Sequence, residues 1–90
     1  MTYILCPISM FNLHQDILLI DESQDGTIGK KVALSTLDNL SADIVAMCAK
    51  HNVSYVKLQS NKEYAVGLIE EIYTIANKNY GLNNIEVEVI

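Results

Sequence analysis

The chain has 90 residues, enough for a single domain. Half of its residues are hydrophobic and only 19% are charged, so part of the surface is expected to be covered by a partner. The chain contains eleven acidic residues, six lysines and no arginine, which gives a formal net charge of -5. Because arginine and positive charge supply much of the affinity for phosphate backbones, this composition disfavours nucleic-acid binding.

The first third of the chain predicts three strands joined by short connections. Residues 2–10 are apolar on both faces, as in an interior strand, with Pro7 expected at a bulge or facing a gap. A polar connection at 12–15 leads to a second strand at 16–23. Asp25 and Gly26 form a dipeptide typical of a type I′ hairpin turn, and a third strand follows from 28 to about 35. These strands are predicted to form an antiparallel meander.

The pattern then becomes helical. Apolar residues recur at intervals of three and four, which predicts a helix over 38–51, capped between positions 36 and 41. These apolar residues are Leu37, Leu40, Ile44, Met47 and Cys48. A fourth strand is predicted over 53–58, where Val, Tyr and Leu predominate.

A second helix is predicted over 61–79. Ser60 and Glu63 have the spacing of a capping box at its start, and Gly81 provides a left-handed stop at its end. Its inner stripe consists of Ala65, Leu68, Ile69, Ile72, Ile75 and Ala76. The chain closes with a strand over 84–90, in which Glu86 and Glu88 point to one face and the alternating apolar residues to the other.

The predicted fold class is therefore α/β, with the order βββαβαβ, a five-stranded mixed sheet and two helices. An alternative makes residues 28–36 part of one long helix, which gives a doubly wound βαβαβ three-layer sandwich. Asp25, Gly26, Gly29 and Ser35 disfavour an unbroken helix there, because these residue types have low helix propensity.

This element order resembles the ribonuclease H-like core. The resemblance implies a meander in the order 3-2-1, with the two later strands joining beside strand 1 in parallel. Nucleases of that family hold two metal ions with carboxylates on the first strand, near the first helix and at the end of the fourth strand. Here the first strand has no acid, the fourth ends in Gln59 and Ser60, and Asp38 and Asp43 would have no partners. The resemblance therefore implies the scaffold without the activity, and without the final helix that covers one face.

The remaining chemistry-bearing residues predict no catalytic site, no cofactor site and no metal site. Cys6 and Cys48 lie in apolar surroundings, which is typical of buried reduced thiols in the cytoplasm. Neither His14 nor His51 has a spacing that selects it as a partner for a cysteine. No signal peptide and no apolar run of membrane-spanning length is present, so no membrane association is expected.

Five residues form a candidate protein interface: Val66, Tyr73 and Tyr80, which recur every seven residues along the second helix, and Glu86 and Glu88 on the terminal edge strand. Tyrosines are enriched at interfaces, and an exposed edge strand invites pairing with another chain. Alternatively, the tyrosines pack their rings on the sheet edge with their hydroxyls in water. The leading hypothesis is a non-enzymatic protein-binding module that acts through homo-oligomerisation or a protein partner.

Two alternatives from other classes remain open. One is a small nucleotide- or metal-dependent enzyme domain of the doubly wound type, with its site formed by Asp21, Glu22 and residues 59–61 at the strand ends. The other is a nucleic-acid-associated accessory protein of the ribonuclease H-like type.

Overall fold

The computed structural model describes residues 1–24 and 26–90, and within them five strands and two helices form. They are β1 (Thr2–Pro7), β2 (His14–Asp21), β3 (Thr27–Leu34), α1 (Leu37–His51), β4 (Tyr55–Gln59), α2 (Lys62–Tyr80) and β5 (Glu86–Val89). The predicted α/β order βββαβαβ is confirmed. Because Thr27–Leu34 is a strand, the doubly wound alternative is wrong. The predicted hairpin dipeptide includes Asp25, which lies outside the described residues.

The strands form one mixed sheet in the order β3-β2-β1-β4-β5. The β1–β2 and β2–β3 pairs are antiparallel, whereas β4 joins β1 and β5 joins β4 in parallel. β1 is therefore central, with Ile4 opposite Leu19 on one side and Val56 on the other. The edges are β3 and β5, which confirms the terminal strand as an edge strand.

Both helices lie on the same face of the sheet. The β3-to-β4 and β4-to-β5 connections join parallel strands and move across the sheet in the same direction, so right-handed crossovers place α1 and α2 on one side. Buried residues at alternate strand positions join the inner stripes of the two helices in one core. The strand residues of that core include Ile4, Cys6, Ile17, Leu19, Val56 and Leu58. Intervening strand residues therefore point away from the helices.

Two of the predicted helix ends are confirmed and one is wrong. Thr36 caps α1 by accepting the Asn39 N–H at 3.3 Å, and Gly81 ends α2 in the left-handed conformation at φ 64°. The predicted cap of α2 at Ser60 is wrong, because Asn61 accepts the Tyr64 N–H at 2.8 Å instead. Serine and asparagine cap helices about equally well, so propensity does not separate neighbouring candidates.

The connection between β1 and β2 also differs from the prediction. β1 ends at Pro7 rather than at residue 10, and β2 begins at His14, so Gln15 belongs to a strand and is only 3% exposed. Pro7 lies beyond the last β1–β2 pair, Leu5 with Leu18, so it faces a gap as expected. Gln15 lies on the core face, and its amide is satisfied by hydrogen bonds to Ser9 and Asn12 in the loop before β2.

The cap of α2 yields a matched pair of stability predictions. Asn61→Ala is expected to lower the free energy of unfolding by about 1 kcal/mol, because it removes the acceptor for an N–H in the first turn. Ser60→Ala is the control: the Ser60 hydroxyl is buried without a hydrogen-bond partner among the described residues, so its loss should be neutral or stabilising. Urea denaturation of both variants measures the difference. A larger loss for Ser60→Ala than for Asn61→Ala would contradict the observed cap.

Candidate protein-interaction surface

One face of the sheet points away from α1 and α2, and we call it the open face. No element among the described residues covers it. Its side chains alternate with the core residues along every strand, so their direction follows from the pleat. The paired residues of the open face are Tyr3, Leu5, Pro7, His14, Asp16, Leu18, Ile20, Thr27, Lys30, Val32, Leu34, Tyr55, Lys57, Gln59, Glu86 and Glu88.

The open face is apolar at its centre and carries charges of both signs toward its edges, although the β3 edge also exposes the apolar Val32 (52%) and Leu34 (48%). Leu5 lies opposite Leu18 on β2, and Tyr3 lies opposite Ile20. These four side chains are half-buried, because they shelter one another while the face remains accessible to solvent. An apolar centre with a polar rim is the usual anatomy of a protein interface.

A network of side chains orders the β4–β5 half of the open face. The Lys57 ammonium lies 4.4 Å from the ring centroid of Tyr3 and 6.0 Å from that of Tyr55. The Tyr55 hydroxyl donates a hydrogen bond to Glu88, and this bond is the main reason why the pKa of Tyr55 is raised. Desolvation and the negative charges of Glu88 and Glu86 add to that increase.

The five predicted interface residues fall on two separate surfaces. Glu86 and Glu88 lie on the open face, opposite Tyr55 and Lys57 of β4. The other three lie on α2, which packs against the opposite face of the sheet. They form an exposed stripe, the α2 stripe, consisting of Val66, Tyr73 and Tyr80, of which Tyr73 is 44% and Tyr80 46% exposed. The structure does not bring the two groups together.

A third exposed apolar surface was missed by the sequence analysis. In the loop of residues 8–13, Phe11 is 97% exposed and Met10 and Leu13 are each 79% exposed. The buried Gln15 holds this loop: its amide accepts the Ser9 N–H at 2.8 Å and donates to the Ser9 carbonyl at 2.8 Å. The sequence did carry a signal, since the apolar pair 10–11 lies just beyond Pro7. The predicted strand over 2–10 obscures this signal, because β1 ends at Pro7.

A cavity of about 180 Å³ lies between this loop and the start of α2, where β1 and β4 end. Several of its polar groups are satisfied within the protein, whereas the buried Ser60 hydroxyl has no partner among the described residues. The Tyr64 hydroxyl donates to the Ser35 carbonyl, and the Gln15 amide bonds the loop. Among the described residues, its lining is Ile8, Ser9, Met10, Asn12, Gln15, Ser35, Ser60, Asn61 and Tyr64. These residues offer hydroxyl and amide groups, which bind polar ligands but lack a carboxylate, imidazole or thiol for acid–base or nucleophilic chemistry.

The predicted enzyme site at the strand ends does not assemble. Asp21 pairs with Thr2 at the start of β1, whereas Gln59 pairs with Pro7 at its end, so the two stretches lie at opposite ends of the central strand. The reason is that β2 runs antiparallel to β1. Asp21 instead accepts hydrogen bonds from the Ser23 hydroxyl at 2.7 Å and the Ser23 N–H at 3.0 Å, which lower the pKa of its carboxyl group.

The cysteines are buried in the core as free thiols. Burial is the main cause that raises the pKa of Cys6 to about 12 and that of Cys48 to about 11. In the range 1–24 and 26–90, the structure groups no three His, Cys, Asp or Glu side chains in a way that could hold a metal ion. Over the same residues, neither helix combines the length and apolar character that a membrane crossing requires.

The chain matches no protein-family model and no curated protein. Its function is therefore inferred from the chemistry of its own surfaces.

The thiols provide a direct test of chemical inertness. At pH 8, Cys6 and Cys48 should react with an aromatic disulfide reagent only after unfolding, because both thiols stay protonated and shielded in the native protein. The reagent absorbance in buffer and in concentrated urea measures native and total thiols. Rapid reaction of either thiol in the folded protein would contradict this.

The Tyr55–Glu88 contact predicts a change in one titration. Glu88→Gln should lower the pKa of Tyr55 toward its ordinary value, because the carboxylate that favours the protonated phenol is removed. Tyrosine ring-carbon NMR against pH measures this for each tyrosine. Glu70→Gln on α2 makes the same chemical change on an exposed residue away from the open face and should leave Tyr55 unchanged. Equal titration of Tyr55 in all three proteins would rule out the contact.

Proposed function

We propose that the chain is a non-enzymatic protein-binding module whose interface is the open face. The observation that carries this proposal is a sheet with both helices packed on one side and an apolar centre left uncovered on the other. Contiguous accessible apolar surface on a soluble protein commonly marks a binding site. Leu5, Leu18 and Ile20 lie together at the centre of that patch.

We further assign the architecture to the ribonuclease H-like class. The support is the strand order β3-β2-β1-β4-β5, with an antiparallel meander and two parallel additions beside β1. In this assignment the chain keeps the scaffold and has Ile4 and Cys6 on the core face of the central strand, where no carboxylate is available. A fold class does not by itself carry a function, so the binding role rests on the open face.

The charges on the open face favour a protein over a nucleic acid. Its two lysines, Lys30 and Lys57, are outnumbered by the three acids among its described residues, Asp16, Glu86 and Glu88. Affinity for nucleic acids depends on neutralising phosphates with cations, and this surface would repel them. An apolar centre with charges of both signs at its rim suits a protein partner.

The non-enzymatic part of the proposal rests on how the reactive groups are placed. Asp21 and Gln59 lie at opposite ends of the sheet, and the two thiols are buried with raised pKa values. Activation of a nucleophile or general base requires groups within hydrogen-bond reach of each other.

Three aromatic residues, one on each exposed surface, allow a matched test. Benzoylphenylalanine, a photo-crosslinking amino acid, is introduced at Tyr55 on the open face, at Tyr73 on the α2 stripe or at Phe11 in the 8–13 loop. Each variant is produced in the native host and irradiated. We expect a discrete protein adduct from the Tyr55 position, because a bound partner would lie within reach of that ring. Adducts from Tyr73 or Phe11 but not from Tyr55 would contradict the open face as the interface.

A further inference from the structure

We propose that the occupant of the open face is a second copy of this chain, stacked face to face about a two-fold axis that runs along the strands. This inference rests on the proposed function and names the partner. It follows from the symmetry of the strand order, from the distribution of charge and from the area that two such faces bury.

The strand order makes a closed symmetric dimer possible. β1 is the central strand, with two strands on each side. An axis parallel to β1 lays β1 over its own copy and places β3 over β5 of the partner, so the two faces overlap completely. An axis in the sheet plane but perpendicular to the strands places β3 over β3 and β5 over β5. Both arrangements are isologous and closed, so the side chains decide between them.

Charge selects the axis along the strands. Lys30 and Glu88 lie at the two ends of one row of residues across the open face, with Leu18, Leu5 and Lys57 between them. With this axis, Lys30 of each copy faces the partner's Glu88, and two opposite-charge contacts form. A perpendicular axis along this row opposes lysine to lysine and glutamate to glutamate, which is unfavourable. Placed elsewhere along the strands it still lays β3 over β3, so Lys30 never faces the partner's Glu88.

The centre of the row fits the same arrangement. Leu5 meets the partner's Leu5 on the axis, and Leu18 meets the aliphatic stem of the partner's Lys57. The Lys57 ammonium is already held 4.4 Å from the Tyr3 ring centroid, so its stem can be covered while the charge keeps an aromatic partner. The existing contact of Lys30 with Asp16 is long, at 4.0 Å, and exposed, so it leaves Lys30 available for the partner.

The face is large enough for a specific dimer. Five strands spaced by about 4.8 Å and about six residues long span roughly 24 Å by 20 Å, or about 480 Å² per copy in projection. Two copies thus cover about 960 Å² in projection, and the relief of the side chains brings the buried area to the roughly 1,000 Å² that a specific interface should clear.

A charge exchange tests the proposal. Sedimentation velocity from low to high micromolar concentration should show a monomer–dimer equilibrium for the native sequence. Lys30→Glu and Glu88→Lys should each weaken dimerisation at least tenfold, because each creates two like-charge contacts. Mixed in equal amounts, the two variants should restore the dimer as a heterodimer, in which both contacts are again opposite in charge. Lys78→Glu on α2 changes the net charge as Lys30→Glu does and should leave dimerisation intact.

The outcomes separate the two proposals. A native protein that stays monomeric at every concentration overturns the second-copy proposal, while a crosslink from Tyr55 to a different protein would keep the proposed function. A dimer that the mixed variants fail to restore overturns the axis along the strands. Assemblies that grow beyond the dimer overturn face-to-face stacking in favour of pairing between edges. Lys30 and Glu88 are both exposed, so circular dichroism should show each variant folded as the native protein is.

Discussion

The handedness of two crossover connections determines which surface of this protein is exposed. The chain leaves β3, crosses to β4 and continues to β5, moving across the sheet in one direction. Since right-handed crossovers in one direction place their helices on one side, α1 and α2 pack together and build a single core. The described part of the chain has no third layer. The open face follows from topology rather than from any special residue.

The composition of β1 becomes informative once this topology is known. Its residues are apolar on both faces, a pattern usually found in strands covered on both sides. The helices cover only the face that carries Ile4 and Cys6, while Tyr3 and Leu5 point to the open face. The composition of β1 is therefore typical of a strand covered on both faces, whereas the described part of the chain covers only one of them. A partner on the open face removes that disagreement, and a second copy does so without adding another component.

The sequence predicted what depends on periodicity and missed what depends on individual hydrogen bonds and on which side of the sheet an element packs. The strand order and most of the two helical stripes followed from pattern and from the resemblance and are confirmed. Leu37 at the start of the α1 stripe and Val89 at the end of β5 are instead exposed. The polarity of glutamine favours a loop at position 15, yet hydrogen bonds to Ser9 allow Gln15 to be buried in β2. Asn61 and Ser60 have similar capping propensity, so only the coordinates separate them. The interface prediction combined Tyr73 with Glu86, because nothing in one sequence shows that α2 and that carboxylate occupy opposite sides of the sheet.

The charges at the two edges also bear on how copies of the chain can meet. Lysine on β3 and glutamate on β5 oppose pairing between like edges, as charged edge strands commonly do. These charges do not disfavour pairing of β3 with β5 of another copy, so an open filament of unlike edges is electrostatically possible. That arrangement pairs β3 with β5, which has only four residues. β3 is also irregular, because its register with β2 shifts between the pairs Leu19–Gly29 and Ile20–Thr27. Pairing of the edges also leaves Leu5 and Leu18 in water, whereas stacking of the faces removes them. The charges permit both arrangements and do not separate them. Apolar burial is the larger favourable term in association, so the closed stack, which buries these leucines, is expected to be the more stable arrangement.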